Sequence, residues 1–210
     1  MKRAVVFDCD GTLMDTLPCA DAAYDAMFAR RGRTCPDGVR TALTGLAMGD
    51  AGAVLGAELG EDGAALAEEL NAELITAVGA LARPLPGAVE TVRGAAAVRP
   101  VAIASNSFRA LLDKTLAVGG LAALVPVTVA GDEVRRPKPA PDVYLAACAA
   151  LGVAPGEALA VEDTALGVRA ATEAGLTVVG IGTPATCPGA DLHVPSVGDP
   201  ALRALTAGPA

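Results

Sequence analysis

Two aspartates two positions apart, Asp8 and Asp10, are followed at once by Gly11 and Thr12. Acids this close repel each other unless a cation sits between them or one keeps its proton. Both outcomes suit phosphoryl transfer. Gly11 allows the turn that aims both side chains to one side, because glycine tolerates backbone angles that other residues resist. Taken alone, Asp-x-Asp-Gly serves equally well as an acidic surface turn. An EF-hand calcium loop is excluded, since that loop needs a further odd-position ligand before its glycine and follows a helix. Here the apolar run Arg3–Asp8 precedes.

Three further segments could join this pair. Glu162-Asp163 ends the apolar run Leu159-Ala160-Val161 and offers hard oxygen ligands for Mg²⁺ beside Asp8. Helix capping by Asp163 or Thr164 is the plainer use. Ser105-Asn106-Ser107 ends another apolar run and could seat an anion at a helix start, or only cap that helix. Lys138, stiffened by Pro139 and Pro141, supplies a point charge for phosphate or a solvated loop amine. Each signal is modest, but together they offer a carboxylate nucleophile, a second acid, metal ligands, a phosphate seat and a cation.

The elements that must position them alternate. Residues 3–8 predict a buried strand. From 16 to 82 the texture is Ala-rich and helical, with helices over 18–31, 36–44, 50–58 and 62–81 punctuated by Gly32, Gly45, Gly49 and Gly60. Arg83-Pro84-Leu85-Pro86-Gly87 closes this region. Strands at 101–104, 127–130, 158–161 and 177–181 then alternate with helices at 107–118, 140–151 and 164–174. A short strand at 192–194 and a helix at 199–206 follow. Such alternation predicts an α/β fold with a parallel sheet. The lone first strand finds partners only there, so the helical block is an insertion. The expected division is a Rossmann-like core of 1–15 and 83–210, with helices on both faces, and an α-helical cap of 16–82. Every segment named above then falls at or just beyond the carboxyl end of a strand, where open sheets bind ligands.

The sequences Phe7-Asp8-Cys9-Asp10-Gly11-Thr12-Leu13-Met14-Asp15-Thr16, Ser105-Asn106-Ser107, Lys138-Pro139-Ala140-Pro141-Asp142 and Glu162-Asp163-Thr164 are similar, in order and spacing, to those of the haloacid dehalogenase superfamily of phosphatases. The resembling branch carries an α-helical cap after its first strand, and the likeness covers residues 1 to about 185. It implies hydrolysis of a small phosphorylated metabolite, with Asp8 as nucleophile and Asp10 as general acid and base. It implies Mg²⁺ held by Asp8, the carbonyl of Asp10 and Asp163, with Glu162 close by or acting through water. Ser105, Asn106 and Lys138 would hold the phosphoryl oxygens, and the cap would close about hinges near Asp15-Thr16 and Arg83-Pro84. Asp10 argues against dehalogenation, which needs no leaving-group proton. A sugar phosphomutase shares these motifs but resembles them with a cap His, whereas the one His here is His193. A catalytically silent phosphate-binding module is the other alternative. Pro137 stands where many relatives have Gly, so the loop is stiffer or Arg136 reaches the substrate.

Composition narrows the rest. The chain of 210 residues is 52% hydrophobic but 2% aromatic, so Ala, Val and Leu must build the core. A net charge of −8 leaves no basic face for nucleic acid. Cys9, Cys19, Cys35, Cys148 and Cys187 have no zinc-like spacing and read as reduced thiols of a cytoplasmic protein. No signal-peptide apolar region is evident, and apolar stretches break before membrane-spanning length. A soluble monomer is expected. The cap is poor in polar residues, which weakens a sugar assignment; Asp21, Tyr24, Asp25, Thr44 and Asn71 are its conceivable substrate contacts.

Overall fold

Short apolar runs flanked by glycines and helices become strands when both their faces can be covered. In the computed structural model, which describes residues 2–207, β1 (Ala4–Phe7) leads into β2 (Met14–Asp15). Four helices follow: α1 (Leu17–Ala29), α2 (Asp37–Leu43), α3 (Met48–Leu59) and α4 (Gly63–Leu81). The chain returns through β3 (Arg83–Pro84), which pairs antiparallel with β2. Thereafter come α5 (Ala88–Ala96), β4 (Val101–Ala104), α6 (Arg109–Val118), β5 (Val127–Val129), α7 (Asp142–Leu151) and β6 (Ala158–Glu162). Last are α8 (Ala165–Ala174), β7 (Thr177–Ile181), β8 (Leu192–Val194) and α9 (Pro200–Ala207).

Six strands form one parallel sheet in the order β5-β4-β1-β6-β7-β8. This is the α/β Rossmann-like class that the alternation predicts. The chain builds outwards from β1 through β4 to β5, then crosses to β6 on the other flank. That reversal opens a crevice at the carboxyl ends of β1, β4 and β6.

The sheet's faces differ in bulk. Val5, Phe7, Val101, Ile103, Leu159 and Val161 pack with Val92 of α5, Leu112 of α6 and Leu202 of α9. Ala4, Val6, Ala102, Ala104, Ala158 and Ala160 face Val143 and Tyr144 of α7 and Val168 of α8. The alternation follows from the two-residue period of a strand. Small residues on the second face let α7 and α8 lie close to the sheet. As a result Tyr144, fully buried, reaches the end of β6.

Three local expectations need correction. Helix α5 was not anticipated. Its buried Ala88, Val92 and Ala95 have helical spacing, and a parallel connection from the insertion to β4 needs a crossover element. Gly49 does not punctuate; it lies in the first turn of α3. The β2–β3 ribbon was missed because each strand has two residues, and it brings both ends of the helical block together. All five cysteines are buried and free. No helix among the described residues is long and apolar enough to cross a membrane.

Candidate active site

Asp8 follows β1 directly, and its N–H donates to the Val161 carbonyl at 2.9 Å, so it continues the sheet's pairing. Its carboxylate Oδ1 accepts from Lys138 Nζ at 2.6 Å. The same ammonium donates to Glu162 Oε1 at 2.6 Å. Tyr144 donates its hydroxyl to that Glu162 oxygen at 2.7 Å. Glu162 Oε2 accepts from the Asp163 and Thr164 N–H groups and the Thr164 hydroxyl. Both oxygens of the fully buried Glu162 are thus engaged. Burial works against the Lys138 ammonium, but Asp8 and Glu162 outweigh it and hold its pKa above the usual lysine range.

Two glycines make this packing feasible. Gly11 has φ +85°, and a Cβ there would stand 2.2 Å from Asp163 Oδ2. Gly167, in the first turn of α8, gives the Glu162 carboxyl its space: a Cβ would fall 1.9 Å from the carboxyl carbon. The Asp163 carboxylate is oriented by Thr12, whose hydroxyl donates to Oδ1 at 2.9 Å. Asp10 projects towards β4, where Ser105 and Ser107 donate their hydroxyls to its Oδ2 at 3.2 and 2.9 Å.

The charge balance here is unequal. Oxygens of Asp8, Glu162 and Asp163 lie within 4.8 Å of one another, and Lys138 is the ammonium that bridges two of them. Burial raises the Asp8 carboxyl well above its usual range, and the other acids add to that against Lys138. Burial and Glu162 likewise push Asp163 up to about 7. Asp8 Oδ2 is buried with no hydrogen-bond partner. A hard cation on an all-oxygen donor set relieves both the orphaned oxygen and the excess negative charge. The residues therefore fit a divalent ion.

Above these acids lies a cavity of about 590 Å³. Its floor includes Asp8, Asp10, Ser105, Lys138 and Asp163, and its roof is drawn from α1 to α4. Leu70, Leu74 and Val78 present a stripe with four-residue spacing along α4. Arg40 of α2 also lines the cavity, donating to Asp21 at 3.0 Å and to Asp25.

A family model described as haloacid dehalogenase-like hydrolase matches residues 2–175. The chain belongs to that family. Its curated relatives include phosphoglycolate phosphatase of Thiobacillus denitrificans, 31% identical over 98% of this chain and 96% of that protein. Another is validoxylamine A 7'-phosphate phosphatase of Streptomyces hygroscopicus, 31% identical over 87% of each. CbbY from Rhodobacter sphaeroides, solved in complex with phosphate, shares the fold: TM-score 0.82, 24% identity, covering 95% of this chain and 96% of that one.

Within this haloacid dehalogenase-like chain, the floor gathers Asp8, Asp10, Ser105, Asn106, Lys138 and Asp163 of the residues singled out from the sequence, and Glu162 lies fully buried behind Lys138. Asn106 is directed differently from expectation. Its Oδ1 accepts from the Lys138 N–H at 2.8 Å, while Nδ2 donates to the carbonyls of Lys138 and Gly45, each at 3.1 Å. The amide thus fixes the lysine loop and ties it to the helical block. Arg136 turns outward to Asp142 at 3.0 Å and does not line the cavity. Among the roof candidates, Asp21, Tyr24 and Thr44 line the cavity, whereas Asp25 and Asn71 do not. His193 lies on edge strand β8, its Nε2 2.9 Å from the Cys187 carbonyl.

Sequence reasoning passed over Arg40, Tyr144 and Gly167, gave Thr12 no role of its own, and read Ser107 as part of an anion seat or helix cap and not as a partner of Asp10. Ser107 stood inside a motif already noticed, and Gly167 sits five residues beyond Glu162, where a glycine in a first helical turn is a usable signal. Arg40 and Tyr144 had none, since their importance rests on contacts 15 to 19 residues away.

Proposed function

We propose that the protein is a Mg²⁺-dependent phosphatase that hydrolyses a small phosphate monoester through an aspartyl-phosphate on Asp8. The observation that carries this reading is Asp8 itself. One oxygen is held by Lys138, the other is unpartnered, and both sit at the floor of a cavity beside a second acid held by two serines. Family membership and the phosphatase names of the curated relatives support it.

In this mechanism a carboxylate oxygen of Asp8 attacks phosphorus as the ester oxygen leaves. Asp10 gives that oxygen its proton, then takes one from the water that attacks the aspartyl-phosphate. Phosphate departs and Asp8 is restored. Asp8, Asp163 and the Asp10 carbonyl would hold Mg²⁺, which when bound offsets negative charge on the phosphoryl group. Lys138 and Ser105 hold phosphoryl oxygens, and loss of one such donor typically costs ~2.7–4 kcal/mol of barrier. Glu162 and Asn106 position Lys138. Residues 16–82 act as a cap over the core formed by 1–15 and 83–210, excluding bulk water while the intermediate exists.

A phosphomutase reading asks for a free cation to hold a second phosphate, and Arg40 is already paired with Asp21 and Asp25. The test is phosphate release from an ester panel with Mg²⁺ and with EDTA, beside Asp8→Asn. Release that needs the metal and is lost in the variant is expected. Release that survives either change overturns the proposal.

A further inference from the structure

We propose that the alcohol half of the substrate is a largely hydrocarbon body carrying no second anionic group. This rests on the phosphatase reading and specifies what the cavity above the acids accepts. At about 590 Å³, the space falls within the roughly 300–1,000 Å³ usual for drug-sized ligands, far beyond what a phosphoryl group fills. Its far wall is apolar: the α4 stripe of Leu70, Leu74 and Val78 faces Leu43 and Met48.

Two hydroxyls beside that wall are already committed. Thr41 donates its hydroxyl to the Asp37 carbonyl at 3.0 Å, and Thr44 donates to the Arg40 carbonyl at 3.3 Å. Arg40 lies between two carboxylates, and so does Lys138 on the floor. Five carboxylates line the cavity against these two cations. A carboxylate or second phosphate on the leaving group would enter a field already negative, with no unpaired cation to meet it. A polyhydroxylated leaving group would give up water for a lining whose surface is mostly apolar, with its acceptors gathered at the carboxylates and the Thr16 and Tyr24 hydroxyls. Hydrocarbon gives up no hydrogen bonds there and rests on the apolar lining.

The test compares kcat/KM for cyclohexylmethyl phosphate, glucose 6-phosphate and phosphoglycolate in the presence of Mg²⁺, with methyl phosphate as an ester of minimal leaving group. Cyclohexylmethyl phosphate should exceed the other two by about tenfold or more, the scale on which apolar pockets discriminate. The near-isosteric Val78→Thr should narrow that ratio, and Leu74→Met should largely preserve it. Equal or better turnover of glucose 6-phosphate or phosphoglycolate overturns the inference, as does a ratio that Val78→Thr leaves unmoved. Calorimetry with cyclohexylmethylphosphonate against phosphonoacetate reads the same preference without turnover. Tighter binding of the former by a protein that releases phosphate from no ester, methyl phosphate included, sinks the phosphatase reading while upholding the cavity's preference. Tighter binding of phosphonoacetate sinks the inference alone.

Discussion

The floor and the roof of the cavity are stabilised in opposite ways. On the floor, buried charges meet one another through specific bonds: Lys138 between Asp8 and Glu162, Asp10 beneath two serines, Asp163 against Thr12. Removing one partner there leaves a charge buried and uncompensated, which is costly. The roof pairs Arg30 and Arg31 with Glu61, Glu69 and Glu73 on its outer side, keeps Arg40 bonded to Asp21 at the cavity, and turns leucines inward. Its interior contacts are non-directional and tolerate exchange at constant volume. One wall is therefore built to do a single reaction, and the other can be altered to change what undergoes it.

That contrast can be broken most severely at Gly167. Gly167→Ala drives a methyl into the Glu162 carboxyl, so overpacking should cost about 1–3 kcal/mol in urea unfolding. Its kcat should fall in parallel, because displaced Glu162 no longer holds Lys138. A variant with wild-type stability and turnover would show the floor to be looser than its bonding suggests. Asn106→Ala should do less. It removes the bonds joining the lysine loop to Gly45, costing about 1 kcal/mol and raising KM as the roof seats less firmly. An unchanged KM would detach the roof from the floor.

The smallest effect belongs to the roof's outer face. Side-chain hydrogen bonds from Arg31 and then Arg30 hold the Glu69 carboxyl down at about 2. A depressed folded pKa contributes stability above the ordinary glutamate range of about 4.3, and that contribution fades as pH falls towards about 2. Glu69→Gln should therefore lower the unfolding free energy measured in urea at pH 7 by a partly exposed pair's worth, about 0.2–1 kcal/mol. The gap from wild type should close on acidification. A gap that is constant with pH would assign Glu69 a packing role instead.

The same contrast explains what was legible beforehand. Asp8, Asp10, Glu162 and Asp163 could be read because they sit at or just beyond strand ends, and apolar runs mark strand ends plainly; Lys138, in the loop before α7, was marked by Pro139 and Pro141. The sheet was legible for the same reason, down to the boundaries of β7 and β8. Helix α5 was obscured by the Pro86-Gly87 stop before it and Gly94 within it. Asn106 was found, but its orientation depends on Gly45, distant in sequence and placed by the fold. Arg40 went unnoticed because its partners Asp21 and Asp25 belong to another helix. Periodicity reports which face of an element is covered, and it carries no information on what covers it.

The central place of β1 in the sheet has a consequence for the chain as it is being made. Val5 pairs with Val101, and Ala4 with Ala158, so β1, made before the other strands of its sheet, waits long for its neighbours. Contacts of such sequence separation form late. The helices between them pack first on neighbours close in sequence, as α3 does against α4, although α4 also rests on α6. Asp8 and Asp163 meet only when β6 has docked beside β1. A growing or truncated chain therefore holds no assembled set of acids, and its chemistry stays silent until most of its length has been translated and folded.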